Sequence, residues 1–107
     1  KSSAASDVYK RQSSGPAIIA LIIEALSDGG LSGGLPKILS EELIMEMILG
    51  TISLIKENQL TPSELKNLVT SPGGTTISAL RVLEKKSIRS ALIESIVSAS
   101  NRSKEFN

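Results

Sequence analysis

The chain has 107 residues, a formal net charge of +1, and neither cysteine nor histidine. This length allows one domain at most, the mixed charges give no footprint for nucleic acid, and the missing residue types exclude disulfides and thiol catalysis. Without histidine the commonest general base and metal ligand is missing, so we expect no metal site. Tyr9 and Phe106 are the only aromatic residues, so the core must be aliphatic.

Residues 1–12 differ from the rest of the chain because they are polar and lack a periodic apolar pattern. We interpret them as a non-native or disordered lead, followed by one helical domain over residues 13–105. The N-terminus has no apolar signal core, and the apolar run Pro16–Ile23 is far shorter than the roughly 20 residues that span a membrane. The sequence therefore predicts a cytoplasmic protein without a membrane segment.

The first predicted helix runs from about Pro16 to Ser27, and Gly29-Gly30 is interpreted as its stop. It is apolar on nearly every side, and Glu24 is the one charge in its apolar run. A helix of this kind is normally buried on all sides. Because a chain this small can hardly surround a helix by itself, we predict burial against a second copy, that is, a homodimer.

The second predicted helix runs from Pro36 to about Glu57, since its apolar residues recur at helical spacing. Thr61, Pro62 and Glu64 form a capping box, with a hydroxyl at the N-cap, and they begin a short helix that extends to about Val69. Three acidic residues of the second helix are expected on a solvated face, and these are Glu41, Glu42 and Glu46.

Two further helices are predicted, over Pro72–Lys85 and Ser87–Lys104. Basic residues at the end of the first of these suit the negative pole of its dipole. The second carries an apolar stripe from Ile88 to Ala99. No segment shows the alternating pattern of a strand, so the predicted fold class is all-α, a helical bundle.

The connection before the fourth helix is the candidate binding site. Ser71 precedes a proline and so favours an extended backbone, which suits an N-cap, and Pro72 suits the first helical position. Gly73 and Gly74 each cost a helix roughly 1 kcal/mol relative to alanine, so two in succession indicate a close approach to the backbone. Free N–H groups at a helix start, with the helix dipole, attract a carboxylate or a phosphate.

From these residues alone, two interpretations of the turn stay open. In the first, it is an ordinary turn before a helix. In the second, the amides of Gly73 and Gly74 point at an anion, with the hydroxyls of Ser71 and Thr76 beside them. The candidate substrate-binding residues are then Ser71, Gly73, Gly74 and Thr76, and no residue is identified as a catalytic acid or base.

The sequence of this segment resembles that of a known family. Val69–Leu80, which reads VTSPGGTTISAL, resembles the signature of pyrroline-5-carboxylate reductase, an enzyme that makes proline by reducing a cyclic imine. Further segments resemble the family in the same order along the chain. They are SGPA from Ser14, EALSDGG from Glu24, GLP from Gly34, TPSEL from Thr61, RVLE from Arg81 and RSALI from Arg89.

The resemblance implies the C-terminal dimerisation domain of that reductase, a fold similar to the C-terminal domain of 6-phosphogluconate dehydrogenase. It implies that the turn holds the substrate carboxylate, with the hydroxyl of Thr76 near the ring. It also implies NADPH or NADH as cofactor, bound mainly by an N-terminal Rossmann domain. The glycine motif of such a domain, G-x-G-x-x-G after a strand, is not found in this sequence. We therefore expect a reductase fragment that forms homodimers or larger oligomers of dimers and is inactive alone.

Other functions are kept as alternatives. A stand-alone helical oligomerisation module without catalysis would explain the apolar first helix equally well, but it would not need the Ser-Pro-Gly-Gly-Thr-Thr turn. Related imine reductases or dehydrogenases with the same helical domain also remain. A protein of the membrane surface is disfavoured, because no basic face lies opposite a sharp apolar face and tryptophan is absent.

Overall fold

The computed structural model describes residues 14–70 and 74–105, with side chains as far as Arg102. These residues form helices and no strand, so the all-α prediction is confirmed. Residues 1–12, interpreted above as a lead, lie outside the described part of the chain. The helices are α1 (Ser14–Ser32), α2 (Lys37–Glu57), α3 (Pro62–Leu68), α4 (Thr75–Lys85) and α5 (Ile88–Glu105).

The chain divides into two compact units, Lys1–Ile52 and Ser53–Asn107, and the boundary falls inside α2. The first unit contains α1 and most of α2, which are joined by a buried hydrogen bond. The second contains the end of α2, then α3, α4 and α5, and within it α4 packs against α5.

α1 continues to Ser32, past the end at Ser27 that the sequence predicts, and it contains both Gly29 and Gly30. The interpretation of these glycines as a helix stop was therefore wrong. A helical glycine costs roughly 1 kcal/mol but keeps its backbone hydrogen bonds, so tertiary packing can override its poor propensity. Gly30 makes such packing possible, because its missing side chain leaves room for α2.

The actual end of α1 is a Schellman motif. Gly34 has a φ of +102°, in the left-handed region that favours glycine. Its N–H donates to the carbonyl of Leu31 at 2.9 Å, and the N–H of Leu35 donates to the carbonyl of Gly30 at 3.0 Å. These two bonds satisfy carbonyls that the helix end would otherwise leave without partners.

Small residues make the contact between α1 and α2. Ser40 of α2 is 1% exposed and Ser27 of α1 is 2% exposed. The hydroxyl of Ser40 donates to the backbone carbonyl of Ser27 at 2.8 Å. A Cβ atom built on Gly30 would overlap the Oγ atom of Ser40. The hydrogen bond and the bare glycine together therefore set how closely α1 and the first part of α2 approach.

α2 begins at Lys37, directly after Pro36, and ends at Glu57 as predicted. A second Schellman motif closes it, in which Gln59 has a φ of +53° and the N–H of Leu60 donates to the carbonyl of Ile55 at 3.0 Å. A left-handed conformation costs a residue with a side chain about 1 kcal/mol. Glutamine is not a typical turn residue, so the sequence gives no local signal for this geometry.

The predicted capping box at the start of α3 is confirmed. The N–H of Thr61 donates to Oε1 of Glu64 at 2.8 Å, and the N–H of Glu64 donates to Oγ1 of Thr61 at 3.1 Å. Two N–H groups at the helix start thereby gain acceptors from within the segment. The motif is formed by residues three positions apart, which is why it could be predicted from the sequence.

The helices leave most of their apolar side chains uncovered. Among the described residues, no hydrophobic side chain is buried. Leu21 of α1 is 64% exposed and Leu49 of α2 is 67% exposed, whereas leucine is among the residues most often buried in folded proteins. The cover that the sequence predicts for α1 is thus not supplied by the described part of the chain.

α1 is longer than the apolar run Pro16–Ile23 that it contains. The helix has 19 residues, and an 18-residue window within it has a mean hydropathy of 1.3, so it is long and apolar enough to cross a bilayer by length and composition. The sequence-based expectation rests on Pro16–Ile23 alone, a run much shorter than the helix that contains it. A core helix of a soluble protein passes the same criteria, so they do not by themselves assign a membrane segment.

We expect Gly30→Ala to lower the free energy of unfolding by about 1–3 kcal/mol, because the added methyl group would displace Ser40. Gly29→Ala is the matched control, since nothing lies near the Cβ position of Gly29. Alanine there should stabilise α1 by about 1 kcal/mol. Urea unfolding followed by circular dichroism at one protein concentration measures both changes. Equal stability of the two variants would contradict the close contact between α1 and α2.

Candidate functional site

α3 ends with a side-chain hydrogen bond just before the predicted turn. The N–H of Thr70 donates to the carbonyl of Asn67 at 3.3 Å, three residues back. The part-buried hydroxyl of Thr70 donates to the carbonyl of Lys66 at 2.6 Å. This carbonyl is the acceptor that the N–H of Thr70 would use if the α-helix continued. The side chain takes that place, and the chain leaves the helix.

α4 begins at Thr75, and its N-cap is Gly74, with φ −86° and ψ 176°. The N–H of Ser78 donates to the carbonyl of Gly74 at 3.4 Å, which is the first bond of the helix. Ser71 and Pro72, predicted as the N-cap and the first helical residue, lie outside the described residues, among which the helix begins at Thr75 and not before Gly74. A start after both glycines avoids their propensity cost, and glycine is itself accepted at an N-cap.

The first turn of α4 has backbone donors that no N-cap side chain satisfies. Gly74 makes no side-chain capping hydrogen bond. The first N–H groups of a helix, here those of Gly74, Thr75, Thr76 and Ile77, have no acceptor inside the helix. They lie at the positive end of the helix dipole, so they are donors suited to a carboxylate or a phosphate.

Two of the four predicted binding residues lie together in this turn. Gly74 is the N-cap, and Thr76 is the second helical residue; both are half-buried. Ser71 and Gly73 lie outside the described residues, and their role stays a prediction. Of the four amides in the first turn, only that of Gly74 was predicted, and the amides of Thr75, Thr76 and Ile77 were not. The low helix propensity of consecutive glycines, which moves the helix start downstream, is the signal that could have found them.

The residue type at Gly74 matters for what the turn can do. Its φ of −86° is open to any L-residue, so the backbone does not require glycine here. Aspartate or serine at this position would accept from the N–H groups of the first turn and would compete with an external anion. A glycine N-cap leaves those donors to a ligand, which favours the anion-binding interpretation over an ordinary turn.

The far end of α4 is tied to α5 by a tight turn. Ser87 has a φ of +62°, and its N–H donates to the carbonyl of Glu84 at 3.0 Å. The side chain of Glu84 also pairs with Arg89, with 2.7 Å between Oε2 and Nε. Both side chains are mostly exposed, so this ion pair adds little stability. The turn and the packing on α5 hold the helix that carries the open N-terminus.

The described residues form neither a metal centre nor a dinucleotide cradle. No group of three or more metal-ligating side chains comes together among them. The pair Gly33-Gly34 does not act as a phosphate loop, because its N–H groups donate to carbonyls of α1. It also follows the negative end of a helix dipole, which repels phosphate. The pyrophosphate of a nicotinamide cofactor therefore does not fit these glycines.

Comparison with known proteins decides the family. The family model described as pyrroline-5-carboxylate reductase dimerisation matches residues 4–106. The chain belongs to the pyrroline-5-carboxylate reductase dimerisation family. The resemblance found in the sequence is thereby confirmed. The match begins within residues 1–12, whose interpretation as a non-native or disordered lead stays a prediction.

Curated relatives show how much of a reductase the chain corresponds to. The pyrroline-5-carboxylate reductase of Synechocystis is 52% identical over 93 residues, which are 87% of this chain and 35% of the relative. The enzyme of Arabidopsis thaliana is 46% identical over 94 residues, which are 88% of this chain and 34% of the relative. The chain thus spans about a third of the length of these relatives.

Solved structures share the helical fold. Plasmodium falciparum pyrroline carboxylate reductase, in a crystal structure with NADP bound, matches with a TM-score of 0.84 and 34% identity, covering 92% of this chain and 38% of that one. The reductase of Coxiella burnetii matches with a TM-score of 0.81 and 41% identity, covering 86% of this chain and 34% of that one. Membership of a dimerisation family implies homo-oligomerisation.

We expect Gly74→Asp to raise the free energy of unfolding by about 0.5–1 kcal/mol, because aspartate would cap α4 and interact favourably with its dipole. Ser87→Gly is the matched control at the other end of the same helix. It replaces a serine in the left-handed region by glycine, which has no steric cost there, and should stabilise the protein by about 1 kcal/mol. Thermal unfolding measures both variants. A loss of stability in Gly74→Asp would contradict Gly74 as the N-cap.

Proposed function

We propose that the chain is the dimerisation and substrate-binding part of an enzyme that reduces 1-pyrroline-5-carboxylate to L-proline with NADPH or NADH. Family membership supports the reaction, since the relatives carry the name of this reductase. One observation carries the binding site. It is the glycine N-cap of α4, which makes no side-chain capping bond and lies within the segment that resembles the family signature.

In this proposal the substrate carboxylate lies at the N-terminus of α4. The amides of Gly74 and Thr76 donate to it, together with the amide of Gly73 and the hydroxyl of Ser71 from the preceding connection. The hydroxyl of Thr76 lies beside the ring. Redox chemistry belongs to the nicotinamide cofactor, and this part of the enzyme contributes orientation and charge complementarity. No histidine or cysteine is needed for that role.

We propose a second copy of the chain as the cover of α1, within a cytoplasmic homodimer or a larger oligomer of dimers. A bilayer would fit less well, because α1 carries Glu24 and Asp28, and both are exposed. An acidic residue near the centre of a membrane helix costs about 2.5–3.5 kcal/mol. At a protein interface the same side chains can reach water at the rim.

A stand-alone oligomerisation module is the second candidate function. The uncovered apolar helices favour it as much as they favour a reductase. The open start of α4 separates the two, because a purely structural module has no use for helix donors left without a cap. Ligand binding at this turn is therefore the measurement that discriminates between them.

The reaction product should bind to the chain itself. We expect L-proline to shift the amide NMR signals of Gly74, Thr75 and Thr76, because its carboxylate would accept from the first turn of α4. L-Prolinamide, which lacks the carboxylate, serves as the ligand control. Gly74→Asp should abolish the shifts although it stabilises the fold. If L-proline and L-prolinamide gave the same response, the carboxylate site would be rejected.

Turnover should require residues beyond those that bind the substrate. We expect the 107-residue chain to show no reduction of pyrroline-5-carboxylate by NADPH or NADH. A chimera in which residues 14–105 replace the matching segment of the Synechocystis relative should be active. Gly74→Val in that chimera should lower kcat/KM roughly 100-fold by displacing the substrate. Its dimers should stay intact. Equal activity of the variant would reduce the turn to a structural role.

Self-association should depend on the apolar surface of α1. We expect a dimer at micromolar concentration by analytical ultracentrifugation, and Leu21→Asp should raise the dimer dissociation constant at least about tenfold, because it places a charge in an apolar contact. Lys37→Gln, at the start of α2, lowers the net charge by the same one unit and controls for the change in charge. A well-folded monomer as the only species of the unmodified chain would refute the proposed dimer.

A further inference from the structure

Gly50 lies inside α2, where no contact of the described chain explains a glycine. The helix begins at Lys37 and continues beyond Gly50 to Glu57. The φ angle of Gly50 is not in the left-handed region, and no described atom lies within 4 Å of a Cβ atom built on it. A glycine in a helix interior lowers the helix propensity relative to alanine. Gly50 therefore has a cost that nothing in the described part of the chain offsets.

The other glycines of α1 and of the turn that follows it differ from Gly50. Gly30 leaves room for α2, and Gly34 has a positive φ. Gly15 and Gly29 also have open space around them, but they lie in the first and last turns of α1, next to positions where glycine is common. Gly50 is thus the glycine whose position calls for a contact from outside the described chain.

Gly50 shares one face of α2 with Leu39, Leu43 and Met47, because these residues recur every three or four positions. We call these four residues the glycine face. Its three apolar side chains are between 42% and 51% exposed. The half-buried residues of this part of α2 lie on the other side of the helix, and these are Glu41, Ile44 and Ile48. The glycine face is therefore apolar and turned away from the covered side of α2.

We propose that a helix of a second copy of the chain crosses α2 at the glycine face, with Gly50 at the point of closest approach. This inference rests on the proposed dimer and adds a contact surface to that of α1. The family match to a dimerisation domain includes all of α2. The separation of two packed helices depends on the side chains at their crossing, so a glycine there lets the backbones approach closely. Glu46 lies at the edge of the face and is exposed, so its carboxylate can stay in water.

A larger side chain at position 50 tests the crossing. We expect Gly50→Leu to raise the dimer dissociation constant of the 107-residue chain at least about tenfold, because leucine would occupy the space of the approaching helix. Gly50→Ala should raise it about 2- to 5-fold, although alanine favours the helix. Analytical ultracentrifugation measures both constants, and circular dichroism checks that the variants stay helical. If Gly50→Leu does not fold, Gly50→Ala decides, and an unchanged or lower constant for Gly50→Ala would overturn the inference.

Thr51→Leu is the matched control on the same helix. Thr51 is exposed and lies about 100° around α2 from Gly50. Leucine there also adds bulk and also raises helix propensity. The hydroxyl that it removes donates to the carbonyl of Met47, four residues back in the same helix, and such a bond contributes little to helix stability. We expect the dimer dissociation constant to stay within about twofold. A rise as large as that for Gly50→Leu would show that α2 rejects bulk in general, and the crossing at Gly50 would be wrong.

The remaining outcomes separate this inference from the proposed dimer. If the unmodified chain dimerises, and Leu21→Asp weakens the dimer but Gly50→Leu does not, then the dimer through α1 stands and the crossing at Gly50 is rejected. The same result would assign the glycine face to a different partner or to water. If the unmodified chain is a well-folded monomer only, the proposed dimer is refuted and the crossing falls with it.

Discussion

An aliphatic surface that the helices do not cover for themselves is the constraint on which this structure depends. The sequence has no cysteine to cross-link it and almost no aromatic side chains to build a core. Among the described residues, the fully buried positions are Ser27 and Ser40, which are small and polar. Apolar burial is the main driving force of folding, and homo-oligomerisation, which the family implies, would couple the stability of the fold to protomer concentration.

Because few side chains are buried inside the described part of the chain, hydrogen bonds at the helix ends determine much of the local structure. α1 and α2 both close with Schellman motifs, although one uses Gly34 and the other Gln59 in the left-handed region. α3 has a threonine hydroxyl bond at each end. The start of α4 differs from these, because a glycine occupies the N-cap and no side chain caps it. The start of α3 thus has a capping box, whereas the N-cap of α4 supplies no side-chain acceptor to its first turn.

The division of labour in the proposed enzyme follows from the same features. A helix N-terminus can bind and orient a carboxylate but supplies no hydride, and the described residues offer no cradle for a dinucleotide. A chain that spans about a third of its relatives is consistent with a part that binds substrate and joins protomers.

Features set by neighbours in the sequence could be predicted, and features set by distant contacts could not. The capping box, the extent of α2, the all-α class and the family were determined by the sequence itself, because they depend on residues a few positions apart or on motif order. The tertiary structure decided that α1 runs through Gly30, because Ser40 approaches so closely that a residue without a side chain is needed there. It also decided that α4 starts after Gly74, which moved the open donors downstream. Propensity describes each residue alone, whereas a helix boundary depends on what packs against it.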